Sequence, residues 1–233
     1  MIYAIGDIHG EIAKLEQMLS ILRRHLAPED TLVFIGDYID RGPNTPAVLD
    51  RVMELVQTRP NTIALRGNHE QMMLDARAFF DPNWSSGKMD EDIGGIWFYN
   101  GAQQTIEQFM PQASKETRFW ERVPERYWDF LKGLPLEYEL GPFLFVHAGI
   151  VPKGMFWDEA PLDPRLWIRD IFLTSKQDFG KIVVFGHTPL KRPIAMENKI
   201  GIDTGAAYGG KLTAAILNPA IRYDPAEVDF IQV

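Results

Sequence analysis

Leu32-Val33-Phe34-Ile35-Gly36-Asp37-Tyr38-Ile39-Asp40-Arg41-Gly42 joins four consecutive apolar residues to a glycine, two aspartates and an arginine. A short apolar run that breaks at glycine and then delivers charged groups reads as a buried strand emptying polar side chains into a site beyond its carboxyl end. Further clusters of glycine and polar residues lie at Gly6-Asp7-Ile8-His9-Gly10, Arg66-Gly67-Asn68-His69-Glu70, His147-Ala148-Gly149 and Gly186-His187-Thr188. Each cluster follows a probable strand, so side chains drawn from positions 7 to 187 are expected to converge in space.

The segments between these clusters set the architecture. Tyr3 to Ile5 reads as a first strand, and Ile12, Leu15, Leu19, Leu22 and Leu26 then recur at helical spacing until Pro28. Strand Thr31 to Ile35 is followed by Asn44 or Thr45 as a helix cap, with Pro46 in the first turn and Val48, Leu49, Val52, Leu55 and Val56 along one face. A strand at Thr62 to Leu65 completes a β-α-β-α-β series, which predicts parallel strands with right-handed crossovers. Between about 79 and 131 the pattern changes to an aromatic-rich insertion containing Trp84, Trp97, Trp120 and Trp128, with helices expected near Ala102 to Met110 and Lys115 to Leu131. These tryptophans are expected to pack the insertion onto the body, with one or two walling the substrate cleft. Further strands are expected at Leu136 to Leu140, Phe143 to Val146, Ile182 to Phe185, Ile200 to Ile202, Leu212 to Leu217 and Phe230 to Val233, the first two joined by a Gly141-Pro142 hairpin turn. A parallel first half and a mostly antiparallel second half predict an α/β fold of two sheets packed face to face with helices outside.

The composition narrows the function. A chain of 233 residues with 45% hydrophobic content can bury the core of one domain, and a single domain over 1–233 is expected. No apolar run approaches the length of a membrane span, and Met1-Ile2-Tyr3-Ala4 leads into a strand without a basic, apolar leader, so the cytoplasm is the expected location. The absence of cysteine excludes disulfides, zinc fingers and thiolate metal sites. With 24 basic against 32 acidic residues the net charge is -8, opposite to what nonspecific binding of nucleic acid requires.

Asp7, His9, Asp37, Asn68, His147 and His187 together have the donor inventory of a two-metal site with oxygen and nitrogen ligands. Two divalent ions roughly 3.5–4 Å apart repel each other, so a shared carboxylate between them is favoured, and Asp37 is the natural bridge. Asp7 and His9 would complete one shell; Asn68, His147 and His187 would complete the other. A lone histidine is ordinarily a surface or hydrogen-bonded residue, but four of the five here sit in glycine-flanked clusters. The fifth, His25, reads as a solvent-facing residue of the first helix.

Taken together, these five clusters resemble the phosphoprotein phosphatase family of calcineurin-like metallophosphoesterases. The resemblance runs in order from Gly6 to Asp203-Thr204-Gly205, and the tail to Leu212 is similar to the bacterial and phage branch and the symmetrical diadenosine tetraphosphate hydrolases. It implies a four-layer metallophosphoesterase sandwich, two divalent ions, usually manganese with iron, zinc, cobalt or nickel as alternatives, and the six donors above as their ligands. By the same resemblance His69 is the general acid, oriented by Asp40, and Arg41 binds phosphoryl oxygens together with Arg169, for which Arg165 is the rival. Asp203 is expected to hydrogen-bond a metal-ligating histidine, with a loop cap as the alternative, and Arg66 to touch the site or form a structural ion pair.

The implied enzyme is a monomeric phosphoric ester hydrolase acting on phosphorylated protein or a small phosphate ester, with a symmetrical dinucleoside polyphosphate hydrolase as the alternative. A catalytically silent metal scaffold is disfavoured by the presence of His69, Asp40 and Arg41. A nuclease is disfavoured by the acidic chain.

Overall fold

The computed structural model describes residues 1–81, 93–111, 118–159 and 162–233. Strands β1 (Ile2–Ile5), β2 (Thr31–Phe34) and β3 (Thr62–Ala64) pair in parallel, with Ile5 opposite Phe34 and Val33 opposite Ile63. The intervening helices are α1 (Ile12–Leu22) and α2 (Thr45–Thr58), and Asn44 caps α2 by accepting from Ala47 N at 3.1 Å. Helix α1 closes at Leu22, where the His25 and Leu26 N–H groups both turn back onto its carbonyl. His25 therefore lies just past the helix rather than inside it, and is exposed.

A second sheet contains β4 (Glu137–Leu140), β5 (Phe143–Val146), β6 (Ile182–Phe185), β7 (Ile194–Ala195) and β8 (Lys199–Gly201), in the order β4-β5-β6-β8-β7. Against the expectation of a mostly antiparallel second half, β5, β6 and β8 run parallel, and only the edge strands β4 and β7 oppose them. The long β5–β6 connection, with helices α7 (Pro164–Trp167) and α8 (Asp170–Thr174), allows the crossover that parallel pairing needs. Gly141, at φ +59, makes the predicted β4–β5 hairpin. The last strands, β9 (Thr213–Leu217) and β10 (Asp229–Gln232), return to the first sheet, giving the order β10-β9-β1-β2-β3.

The two mixed sheets pack face to face through their alternating side chains. Ile2, Ala4, Val33, Ile35, Phe143, Phe145, Val184 and Ile200 form the layer between them. The other faces of the strands turn outward: Tyr3, Ile5, Leu32 and Phe34 meet the helices of the first sheet, and Leu144, Val146, Val183 and Phe185 meet Ile168 and Phe172. Helices α3 (Asn68–Phe80), α4 (Ile93–Tyr99), α5 (Ala102–Phe109) and α6 (Glu125–Gly133) complete the chain. The helix expected over Lys115 to Leu131 is divided: a 3₁₀ turn at Phe119–Glu121 is followed by Pro124 at the cap position just before α6, and residues 115–117 lie outside the described residues. Trp97 and Trp128 are buried in the core above the first sheet, while Trp84 lies outside the described residues. Among the described residues no helix is long and apolar enough to cross a membrane.

One core position departs from the apolar pattern. Lys199 on β8 is fully buried, and its ammonium donates to the carbonyls of Phe172, Leu173 (3.1 Å) and Ser175 (2.8 Å) at the end of α8. Burial pushes its pKa down to about 8, which leaves it charged at neutral pH. Replacing Lys199 with Met keeps the length of the side chain and strands these acceptors. The expected cost is about 3 kcal/mol, read as a lower midpoint in urea unfolding.

Candidate metal centre

Five strands from both sheets end at one edge of the sandwich, and the chain leaving each delivers a polar cluster there. β1 leads to Asp7 and His9, β2 to Asp37, Asp40 and Arg41, and β3 to Asn68 and His69 at the start of α3. From the second sheet, β5 leads to His147 and β6 to His187. The backbone turns sharply at the exits of β1, β2 and β6: His9, Asp37, Asp40, Arg41 and His187 have φ between +47 and +71, five of the six non-glycine residues with positive φ among those described. Such conformations cost on the order of 1–3 kcal/mol each and persist where the surroundings enforce them. Here His9 N donates to Asp37 O (2.8 Å) and Gly10 N to Tyr38 O (2.8 Å). The neighbouring glycines serve close approach, since a Cβ on Gly186 would lie 2.0 Å from Asp7 Oδ1 and one on Gly67 2.1 Å from Asp37 Oδ1.

Asp37 stands at the centre. Its Oδ2 is 3.3 Å from His9 Nε2 and 3.9 Å from His69 Nε2, and its Oδ1 is 3.4 Å from His147 Nε2. Two clusters of donor atoms, each within 4.8 Å of one another, share it: His9, Asp37 and His69, and Asp37, His147 and His187. Asn68 Oδ1 joins the second at 2.9 Å from His147 Nε2 and 3.0 Å from His187 Nδ1. Asp7 falls outside both clusters but abuts them, its Oδ2 accepting from His187 N at 2.9 Å.

The donor set fits divalent cations on three counts. His9 Nδ1 lies 2.8 Å from Ile39 O and His147 Nδ1 2.9 Å from Ile35 O. Carbonyls accept only, so both Nδ1 atoms donate and both neutral rings turn an Nε2 lone pair inward. Buried Asp7 Oδ1 and His187 Nε2 have no hydrogen-bond partner. Finally, Asp7, Asp37 and Asp203 are all buried, a concentration of negative charge that calls for a positive counterpart.

The electrostatics follow from this crowding. Burial, and then the charges of Asp203 and Asp37, raise the Asp7 pKa well above the carboxylate range. Burial likewise pushes Asp203 up to about 6. It also opposes charge on Asp37, yet the surrounding imidazoles, His147 and His69 foremost, hold that carboxyl below its ordinary value. Burial lowers His9, His147 and His187. For His69 burial is outweighed by the charge of Asp37 and the hydrogen bond to Asp40, and its pKa is raised. Its Nδ1 lies 2.7 Å from Asp40 Oδ2, which leaves Nε2 turned toward Asp37.

The arginines separate clearly. Arg41 Nη1 contacts His9 Nε2, and its guanidinium lies 5.1 Å from the centre of the Tyr208 ring. Arg169 is exposed at the head of α8, and its charge adds a smaller contribution to the burial that lowers the pKa of His147 and His187. Its rival Arg165 is tied to Asp163 (2.7 and 3.0 Å) and Glu137 (3.0 Å). Arg66 donates to Gln71 Oε1 and Lys132 O and so has a structural role. The expectation that Asp203 binds a histidine is replaced by a local cap, in which its Oδ1 accepts from Gly205 N at 2.9 Å.

Two sets of residues were not assigned roles from sequence. Glu70, buried at the third position of α3, accepts from the backbone N–H groups of Asp37 (2.9 Å), Tyr38 (2.8 Å) and Gly67 (2.8 Å), so it binds two of the metal-site turns together. Its place three residues after the Gly67 cap, with Gly67 N donating to it, is the glutamate half of a capping box. Trp97 and Thr105 donate to Asp40 at 2.8 and 2.7 Å, contacts that no local pattern announces.

A two-sheet sandwich with a buried cluster of imidazoles and carboxylates at its strand ends defines a class of fold with a donor set that could hold metal ions, and the comparisons with known proteins give the family. The family model for calcineurin-like phosphoesterases matches residues 1–215. A serine/threonine-protein phosphatase 1 from Salmonella typhimurium is 32% identical over 217 residues, covering 92% of this chain and 90% of its own. A bis(5'-nucleosyl)-tetraphosphatase PrpE, described as asymmetrical, from Anoxybacillus flavithermus is 28% identical over 92% of this chain and 89% of its own. A solved metallophosphoesterase from Sphaerobacter thermophilus superposes with a TM-score of 0.54 at 17% identity, covering 100% of this chain and 87% of that one, and agrees in fold. The chain belongs to the calcineurin-like phosphoesterases. It is a phosphoric ester hydrolase of a family that uses divalent metals.

Proposed function

We propose that this chain is a two-metal phosphomonoesterase acting on phosphoserine, phosphothreonine or small phosphate esters. The observation that carries this reading is the sharing of Asp37 between two donor clusters, with His69 and Asp40 paired beside them. Asp7, His9 and Asp37 would hold one ion, and Asp37, Asn68, His147 and His187 the other; their oxygen and nitrogen donors suit manganese. Bound there, divalent ions supply Lewis acidity toward water and the phosphoryl oxygens.

The remaining roles belong to the chain itself. Arg41 and Arg169 present guanidinium forks to the phosphoryl oxygens and fix the ester for in-line attack by water. As the new phosphorus–oxygen bond forms and the ester bond breaks, His69 gives its Nε2 proton to the departing alkoxide. Asp40 holds Nδ1–H, so the proton that leaves is the one facing the site. Changing Arg169 to Ala is expected to lower kcat/KM about 10- to 100-fold, whereas changing Arg165 to Ala leaves it within about two-fold. Steady-state kinetics on one phosphopeptide checks both.

The second reading, a dinucleoside tetraphosphate hydrolase, is favoured by the PrpE relative. That relative is named asymmetrical, so it supports unequal cleavage rather than the symmetrical cleavage implied by the sequence motifs. Product analysis decides. Phosphate release from a phosphopeptide with little turnover of diadenosine tetraphosphate supports the phosphatase, ATP with AMP supports asymmetrical hydrolysis, and ADP alone supports symmetrical hydrolysis.

A further inference from the structure

We propose that the helical hairpin α4–α5, Ile93–Phe109, is a positioning device for the acid pair, with Trp97 and Thr105 as its positioning residues. The inference rests on the reading of His69 as general acid. It adds that part of the acid's machinery lies in the segment inserted between the two sheets.

The contacts are few and specific. Asp40 is fully buried and sits at φ +71, followed by Arg41 at φ +65, so this turn is held in a strained backbone conformation. The Asp40 Oδ2 atom that pairs with His69 Nδ1 at 2.7 Å also accepts from Trp97 Nε1 at 2.8 Å. The other oxygen, Oδ1, accepts from Thr105 Oγ1 at 2.7 Å, and Thr105 Oγ1 in turn accepts from Asp40 N at 2.9 Å. Both donors are buried, at 0% and 1% exposure, so neither bond competes with bulk water.

The hairpin grips the backbone as well. Gly101, at φ +99 between α4 and α5, accepts from Arg41 N at 3.2 Å. One turn beyond Thr105, Gln108 accepts from Thr45 N at 2.6 Å and donates to Gly42 O at 2.9 Å. The turn from Asp40 to Thr45 is therefore fixed from one side by a single hairpin.

A carboxylate with two oxygens and free rotation can offer His69 an acceptor in several orientations. Three side-chain donors, one of them His69 itself, leave one. That orientation holds the proton on Nδ1 and so determines which ring nitrogen faces the site. A tryptophan or threonine that merely filled space would not need its polar atom aimed at this carboxylate.

The test compares Trp97→Phe and Thr105→Val with Thr105→Ser, which keeps the hydroxyl, and with His69→Asn. Each protein is assayed on an alkyl phosphate, whose poor leaving group needs an acid, and on 4-nitrophenyl phosphate, whose leaving group does not. The expected result is a fall of about 10- to 100-fold in kcat on the alkyl ester for Trp97→Phe and Thr105→Val, with KM and the aryl ester within about three-fold, and recovery in Thr105→Ser. Nitrogen-15 NMR of the metal-free proteins, at a pH high enough to make the His69 ring neutral, gives a reading independent of turnover: His69 holds its one proton on Nδ1 in the parent and loses that single tautomer in Trp97→Phe and Thr105→Val. Equal losses on the two esters, or an unchanged tautomer in both variants, overturn the inference. If His69→Asn is leaving-group-selective and the hairpin variants are not, the hairpin role fails and the acid stands. If His69→Asn is itself unselective, the acid reading fails.

Discussion

Replacing His69 with Asn is expected to lower turnover of an alkyl phosphate by about 10²- to 10⁴-fold while both metal ions stay bound. His69 is buried, its Nδ1 is committed to Asp40 at 2.7 Å, and the nearest Asp37 oxygen is 3.9 Å from its Nε2. These positions suit a proton donor at the rim of the centre, although geometry alone also groups His69 with His9 and Asp37 as a possible ligand. Metal content separates the two roles. A general acid leaves it unchanged on substitution; a ligand takes an ion with it. In the metal-free chain the His69 pKa is raised against burial by the charge of Asp37 and the hydrogen bond to Asp40.

Replacing Asp37 with Asn is expected to do more. The substitution leaves an oxygen that can still accept from His69 N, now 3.1 Å from Asp37 Oδ1, so the turn retains its hydrogen bond. It removes the negative charge that the two donor clusters share. The expected outcome is loss of at least one ion per chain and a fall in kcat/KM of about 10³-fold or more, since a metal contributes several kcal/mol to transition-state charge stabilisation. Elemental analysis and kinetics on the same preparation check it. Two ions retained by the variant would remove Asp37 from the bridging position.

Much of this centre was legible because its residues sit where the chain changes character. Apolar runs that each give way to a glycine-flanked donor cluster located Asp7, His9, Asp37, Asn68, His147 and His187 without any knowledge of tertiary contacts. Helix α2 was legible for a similar local reason, its Asn44 cap and Pro46 being written in adjacent residues. Other features lacked such a signature. Helices α7 and α8 are four and five residues long, too short for a periodic pattern, and β7 has two residues. The return of β9 and β10 to the first sheet depends on β1 having a free edge, a property of the assembled sheet rather than of the last strands. Lys199 reads as a surface lysine until α8 is seen ending against it.

The arginines show the same division. Arg165 and Arg169 are four residues apart and equally basic in sequence, and only the placement of Asp163 and Glu137 commits Arg165 elsewhere. Trp97 shows the limit from the opposite side. Its size argued for packing, and it is buried among Phe119 and its neighbours at a ring separation of 5.1 Å. The indole N–H, pointed at a carboxylate 57 residues earlier in the chain, emerges only in three dimensions.

Anomalous diffraction at the manganese edge, from crystals of the protein loaded with that metal, tests the account most directly. Two peaks about 3.5–4 Å apart, with an Asp37 oxygen against both, are predicted. A single peak, or a pair that Asp37 does not touch, would contradict it.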